Sequence, residues 1–110
     1  MDLSAVVERT ILEYAGIPYA YEPDLVQIPV FDRGRGHYLL MVAGWGLSGE
    51  RVHYALVHVA IRADMIWIEH DGTEEGVAAD LERAGVSKDR IVLAFHPPDA
   101  RAHTGYAVAR

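Results

Sequence analysis

The sequence predicts an α+β fold, with a mostly antiparallel sheet of five or six strands and two helices packed on it. Three observations predict this class. Apolar residues recur at helical spacing near the start of the chain. Four strand-like segments then follow one another between residues 25 and 70. A second helical segment and a short apolar strand come last, in an order that permits one crossover connection.

The first helix begins near Leu3 and ends before Gly16. Its apolar stripe recurs at spacings of three and four and consists of Leu3, Val6, Val7, Ile11 and Tyr14. Gly16 is a helix C-terminal residue and Pro18 cannot continue the helix. Residues 16–24 therefore form a connector, which two prolines make extended and ordered.

Four strands are expected at Leu25–Phe31, His37–Trp45, Arg51–Arg62 and Met65–His70. Pro29 cannot donate to a ladder, which places the first strand at an edge or a bulge. The second strand is apolar on both faces, as in a strand that is covered on both sides. The third strand is long enough that we expect a bend or a bulge in it. The Ala63-Asp64 turn lacks the usual Asn-Gly or Asp-Gly pair, so its geometry is left open.

The second helix follows residue 71, with Asp71 or Thr73 as its cap and Gly85 at its end. Its buried residues are Val77, Leu81 and Ala84. We expect a short buried strand at Ile91–Phe95, a turn or short helix over residues 99–105, and a returning edge strand at Tyr106–Ala109. Because two helices cover only part of a sheet that is apolar on both faces, we expect a homo-oligomer or an interface with a partner chain.

Length and composition indicate a single domain over residues 1–110 with an apolar fraction of 51%. Ten Lys and Arg against sixteen Asp and Glu give a net charge of −6, which makes direct DNA binding improbable because phosphate affinity comes from basic side chains. There is no cysteine, so the sequence excludes disulfides and thiol nucleophiles. No apolar run approaches the ~20 residues that span a bilayer, and we expect a cytoplasmic protein without membrane association.

Three patterns in the sequence suggest a nucleotide, metal or acid–base site, but the residues around each of them favour a structural role. Residues 44–49 match G-x-G-x-x-G, but a β-branched strand follows instead of a helix, so we predict a hairpin loop and no nucleotide cofactor. His53 and His58 are five apart in one strand, which places them on opposite faces. We therefore predict no metal site and no catalytic residue. The acidic group of Glu69, Asp71, Glu74 and Glu75 is interpreted as helix capping and solvated surface, with acid–base chemistry as the alternative.

Four ordered segments carry a family resemblance over nearly the whole chain. They are His37–Trp45, Arg51–Val59, Ile66–Glu74 and Ala84–Pro98, with Arg101, Thr104 and residues 107–109 closing the pattern. The chain resembles the XisI family, the fdxN element excision controlling factors. It departs from the family where Ala63-Asp64-Met65 replaces a glycine-bearing turn, at Ser87 and at Gly105-Tyr106.

The resemblance implies an XisI-like fold and an accessory role in excision of a DNA element by site-specific recombination. It also implies a companion protein, XisH-like and similar to nucleases, and it supplies no catalytic residue. We therefore predict a non-enzymatic regulator that acts by binding this companion. The alternative is a small enzyme or ligand-binding domain with a polar site near Glu69, Asp71, His96 and Arg101, with Thr104 beside them.

The candidate interaction surface consists of Trp45, His96, Pro98, Arg101, His103 and Thr104. Trp45 follows the second strand at a glycine loop, where it either anchors a partner or packs over the hairpin. The loop that holds the other five is stiffened by two prolines, so ordering it on binding costs little entropy. Arg101 either contacts a partner or closes the sheet by pairing with an acid such as Glu69 or Asp71.

Overall fold

A computed structural model describes residues 1–17 and 24–108 of the chain. Five strands form one sheet in the order β1-β2-β3-β4-β5. They span Leu25–Asp32, His37–Trp45, Arg51–Arg62, Met65–Asp71 and Ile91–Leu93. The first four are antiparallel neighbours and β5 is parallel to β4, as the crossover through the second helix requires. The predicted α+β class is confirmed.

The helices are α1 at Leu3–Ala15, α2 at Val77–Arg83 and a short α3 at Pro98–Arg101, with a 3₁₀ turn at Lys88–Arg90. The carboxylate of Asp2 caps α1 by accepting from the N–H of Ala5. Asp71 accepts from the N–H of Val77 and Thr73 accepts from that of Gly76, so both predicted capping residues hold the start of α2. The expected two helices are present and α3 occupies the segment predicted as a turn or short helix.

The core lies between the sheet and the pair α1 and α2. It consists of Leu3, Val6, Val7 and Ile11 of α1, Tyr38, Leu40, Val57, Val59, Ile66 and Ile68 of the sheet, and Val77, Leu81, Val86 and Ile91. We call this side of the sheet the helix face and the other side the open face. Alternation along the strands assigns Tyr38 and Leu40 to the helix face, and Leu39 and Met41 to the open face.

Two β-bulges change the register of the long third strand. The pairing of β2 with β3 shifts between Leu40 and Met41, and that of β3 with β4 shifts beside His58. The first bulge confirms the irregularity expected from the length of β3. At this bulge Leu56 is an extra residue without a register partner in β2. Every later side chain of β3 therefore lies on the face opposite to the one that simple alternation from Arg51 predicts.

The ends of the sheet differ from the sequence expectation in small ways. β5 ends at Leu93, two residues early, because the N–H of His96 turns back to the carbonyl of Leu93. Beyond α3, Ala107 makes a single parallel bridge to Val92 in place of a full sixth strand. Most of the predicted connector and the predicted strand position Ala109 lie outside the described residues. Within the described ranges, no helix combines the length and apolar character needed to cross a bilayer.

Candidate protein interaction site

Arg101 is the central residue of the C-terminal loop and is 8% exposed. Its Nε donates to the carbonyl of His96 at 3.0 Å and its second guanidinium nitrogen donates to that of Ala94 at 3.2 Å. The same guanidinium lies 5.7 Å from the ring of Trp67 on β4. These contacts tie α3 back onto the end of β5 and close this part of the sheet, as expected of a cap.

Trp67 lies on the open face with the guanidinium groups of two arginines near its ring. The guanidinium of Arg62 lies 4.2 Å from the centre of the Trp67 ring, closer than that of Arg101 at 5.7 Å. Arg62 also lies 3.5 Å from the carboxylate of Glu69. The open face is therefore covered over β4 and β5 by this stack and by the loop that follows β5.

The other loop residues divide between exposed and structural positions. Pro98 and His103 are exposed, and His96 stacks on Phe95 with ring centres 4.7 Å apart. The hydroxyl of Thr104 donates to the carbonyl of Arg101 and accepts from the N–H of Tyr106. Thr104 thus fixes the local turn, while Pro98 and His103 present surface that a partner can reach.

Trp45 stands at the end of β2 and is 54% exposed. The predicted hairpin loop is present, since the N–H of Gly46 donates to the carbonyl of Glu50 at 2.9 Å. Gly44 has a φ of 145°, and a Cβ there would lie 2.0 Å from the Asp24 carbonyl oxygen, so glycine is required. Arg51 lies 5.3 Å from the Trp45 ring and leaves most of it accessible, as in an interface anchor.

The sheet does not bring these six residues together into one patch. Trp45 belongs to β2 and the loop of residues 96–104 follows β5, with β3 and β4 between them. The interaction surface predicted from the sequence is therefore two separate regions, and its role in binding stays a prediction.

The alternative polar site is divided by the sheet. Glu69 is on the open face beside Arg62, whereas Asp71 faces α2 and is committed to capping it. His96 and Arg101 belong to the loop after β5. A groove of about 400 Å³ lies on the helix face, and its lining includes Tyr14, Gln27, Tyr54 and Thr73. None of the four residues of the alternative polar site lines this groove.

The histidines are arranged differently from the sequence prediction. His53 pairs with Ala43 and His58 pairs with Leu39, so both project from the open face, and the prediction of opposite faces is wrong. The cause is the extra residue at the bulge of β3, which the sequence spacing cannot locate. A hydrogen bond of 3.0 Å joins the rings of His37 and His58. His70 of β4 is the register partner of His58 on β3. Burial, then the neighbouring His37, lowers the pKa of His58.

No cluster of three or more potential metal ligands occurs in the part of the chain that the structure describes. A hydrogen bond between two imidazoles requires a neutral nitrogen as its acceptor. The hydrogen bond between His37 and His58 therefore requires that at least one of the two imidazoles is neutral.

An apolar row on β1 was missed in the sequence analysis. Val26, Ile28 and Val30 are paired with Ala43, Met41 and Leu39, and they are 55%, 43% and 47% exposed. The signal was present, since β1 is apolar at alternate positions on both faces. Pro29 marks β1 as an edge or bulged strand, but the sequence of the strand does not indicate which of its faces the helices leave uncovered.

The family model for the XisI protein matches residues 2–108. The chain belongs to the XisI family. Two solved structures from Anabaena variabilis ATCC 29413 have the same fold and are each 28% identical in sequence. An XisI-like protein gives a TM-score of 0.86, and an fdxN element excision controlling factor XisI gives 0.79. Each alignment covers 96% of this chain and 95% of the other. No protein of the curated set matches the chain.

Proposed function

We propose that this XisI-family protein is a cytoplasmic regulator of the excision of a DNA element and acts by binding a companion protein. The observation that carries the proposal is membership of the XisI family over residues 2–108, joined to the likeness to a structure named as an excision controlling factor. The companion is an XisH-like protein, and the regulator itself performs no bond chemistry on DNA.

Five of the ten basic side chains lie close to carboxylates of the same chain, which disfavours their contact with DNA. Arg33 lies 2.7 Å from Glu8, Arg35 lies 3.2 Å from Asp32 and Lys88 lies 3.8 Å from Glu82. Arg62 and Arg83 are paired with Glu69 and Asp80. Cations that are neutralised within the chain are poor ligands for phosphate, and the net charge is −6.

The arrangement of polar residues supports regulation over catalysis. Catalysis requires an acid, base or nucleophile that converges on one cavity. Here Asp71 accepts from the N–H groups of Thr73 and Val77 and from the hydroxyl of Thr73, and Glu69 is paired with Arg62. Exposed Trp45 and the loop of Pro98 and His103 offer the protein-binding groups instead.

Co-expression tests the proposal. The tagged XisH-like protein encoded beside this chain is purified, and light scattering after size exclusion measures whether a defined complex forms. Excision of the DNA element is then measured in cells by amplification across the rejoined ends, with and without this chain. We expect a stable complex and an excision frequency that depends on this chain.

Single substitutions identify the surface. Trp45→Ala and His103→Ala are expected to weaken the complex by about tenfold, since exposed anchors contribute on the order of 1–2 kcal/mol. Glu74→Ala, an exposed residue near the helix face, is the matched control and should bind normally. A complex that never forms, together with unchanged excision in cells that lack the chain, would exclude the proposed role.

A further inference from the structure

The open face of the sheet carries a second candidate surface, distinct from the C-terminal loop. Val26, Ile28 and Val30 of β1 lie beside Leu39 and Met41 of β2, and Trp45 extends the row at one end. Both α1 and α2 pack on the helix face, and among residues 1–17 and 24–108 the cluster of Arg62, Trp67 and Arg101 covers the open face over β4 and β5. Three adjacent apolar side chains of β1 are each about half exposed to water.

In the sheet of the described residues β1 is an edge strand, so its outer edge and its open face are both candidate surfaces. The N–H of Trp45 donates to the carbonyl of Asp24, which sets the alternation of hydrogen bonds along β1. The backbone groups of Leu25, Gln27 and Pro29 therefore point away from β2, toward the outer edge of the sheet. Pro29 removes a donor from the middle of that edge. Addition of a further strand is disfavoured, whereas packing of a second sheet on the face remains possible.

The charges of the strands also distinguish the open face. The described strands hold three carboxylates, and of these Asp71 caps α2 while Asp32 and Glu69 are each paired with an arginine. The helices on the other side carry Glu8, Glu13, Asp80 and Glu82. The strands thus place no unpaired carboxylate on the open face, which also carries Arg51 beside Trp45, in a chain whose net charge is −6.

We propose that the open face binds a second copy of this chain, face to face, in a symmetric dimer. Two chains of charge −6 repel each other wherever their acidic surfaces meet. Contact through the open face buries the apolar row, keeps both helix faces turned outward and places no unpaired carboxylate of the strands in the interface. The self-complementary row of a two-fold interface supplies both sides of the contact. This dimer does not depend on the proposed role in excision.

Light scattering and sedimentation over about 1 to 100 µM protein test the proposal at neutral pH. The unmodified chain is expected to be dimeric in the upper part of this range. Ile28→Lys places a charge in the middle of the row and should yield a folded monomer. Leu12→Lys is the matched control, because Leu12 is an equally exposed apolar residue, on α1, and this variant should remain dimeric.

Ile28→Thr guards against a failure of folding, since threonine keeps a high β propensity. It should raise the dimer dissociation constant by about tenfold while circular dichroism stays unchanged. A monomeric unmodified chain throughout the range, or an Ile28→Lys variant that is still dimeric, would overturn the proposal.

The imidazoles of the open face distinguish a second copy from an acidic partner. His37, His70 and Glu69 face His58 from β2 and β4, and His53 lies further along β3. Burial and then the neighbouring His37 lower the pKa of His58, so an interface that buries this ring further favours its uncharged form. Acid that protonates His58 places a charge in the dimer interface opposite its own copy, so the dissociation constant should rise as the pH is lowered. Tighter self-association at low pH would contradict the proposed face.

Discussion

At the residue scale, Arg101 shows why a polar residue in a loop is retained in a buried position. Its guanidinium satisfies the carbonyls of Ala94 and His96, and the flat group packs near Trp67. A hydrogen bond from a charged donor contributes more than one between neutral groups, and leaving its acceptors unpaired costs extra. The residue that the sequence presented as a surface contact is thereby also a part of the fold.

Arg101→Ala is expected to lower the free energy of unfolding by about 2–3 kcal/mol, measured by urea denaturation. Arg101→Lys keeps the charge but loses the planar donor pair, so we expect about half of that loss. Arg35→Ala, which removes an exposed arginine, should change stability by roughly 0.5 kcal/mol or less. Unchanged stability of Arg101→Ala with weaker binding of the companion would instead make Arg101 an interface residue.

Two tyrosine hydroxyls form hydrogen bonds with carboxylates of α2. The hydroxyl of Tyr14 on α1 donates to Asp80, and that of Tyr106 donates to Glu82. Burial and then the bond to Asp80 raise the pKa of Tyr14 to about 12, and the bond to Glu82 and then burial raise the pKa of Tyr106 to about 12. Both phenols therefore stay neutral donors in the folded chain well above the usual range.

An alkaline titration tests the role of Tyr14. Its folded pKa is raised, so its contribution to stability is fully present below about pH 10 and is lost as the pH rises through about 12. Tyr14→Phe is expected to lower stability by about 1 kcal/mol near pH 8 and to reduce the loss between those pH values. Ultraviolet absorbance should show one late-titrating tyrosine fewer. Tyr54→Phe, at an exposed position, serves as the control and should leave the stability near pH 8 unchanged.

At the element scale, the turn between β3 and β4 has an unfavourable sequence for its shape. Ala63 and Asp64 both adopt positive φ, at 51° and 60°. This is the geometry of the two-residue turn that normally selects Asn-Gly, because a Cβ is strained at positive φ. The sequence lacked the usual signal, yet the long apolar strands on either side impose the turn.

The double substitution A63N/D64G is expected to raise the free energy of unfolding by about 1 kcal/mol. Glycine in general weakens a chain, so Ala79→Gly in the interior of α2 is the control and should lower stability by about 1 kcal/mol. Thermal unfolding of both variants measures the difference. A turn variant that is no more stable than the unmodified chain would mean that the flanking strands do not hold these residues under strain.

The bounds of the elements show what the sequence can specify. β2 and β3 begin and end where the pattern predicts, because runs of β-branched and apolar residues are bounded by glycine and charged turns. The parity of β3 could not be predicted, since one inserted residue at Leu56 is invisible in a run of apolar residues. The proximity of His37 and His58 was not predicted for the same reason, whereas the candidate surface was predicted as one patch because the sequence does not show that β3 and β4 separate Trp45 from the loop after β5.

At the scale of the whole molecule, the sheet has one face that holds the fold together and one that is left partly open. Tyr38, Leu40, Val57 and Val59 are fully buried beneath the helices, while Leu39 and Met41 on the same strand remain partly exposed. Apolar alternation on both faces told us that β2 needs cover on both sides. It did not tell us which side the helices take, because that depends on the crossover after β4.

Leu39 and Leu40 are consecutive residues of β2, and their side chains lie on the open face and the helix face, respectively. Leu40→Ala opens a cavity beneath α1 and is expected to cost about 2–5 kcal/mol. Leu39→Ala removes a side chain from the open face and should cost roughly 1 kcal/mol or less in dilute protein, where the chain is monomeric. Denaturant unfolding at two concentrations measures both. The cost of Leu39→Ala should grow with protein concentration and that of Leu40→Ala should not, since only the open face is buried by a second copy. Equal costs for the two residues at low concentration would mean that both faces are packed within one chain.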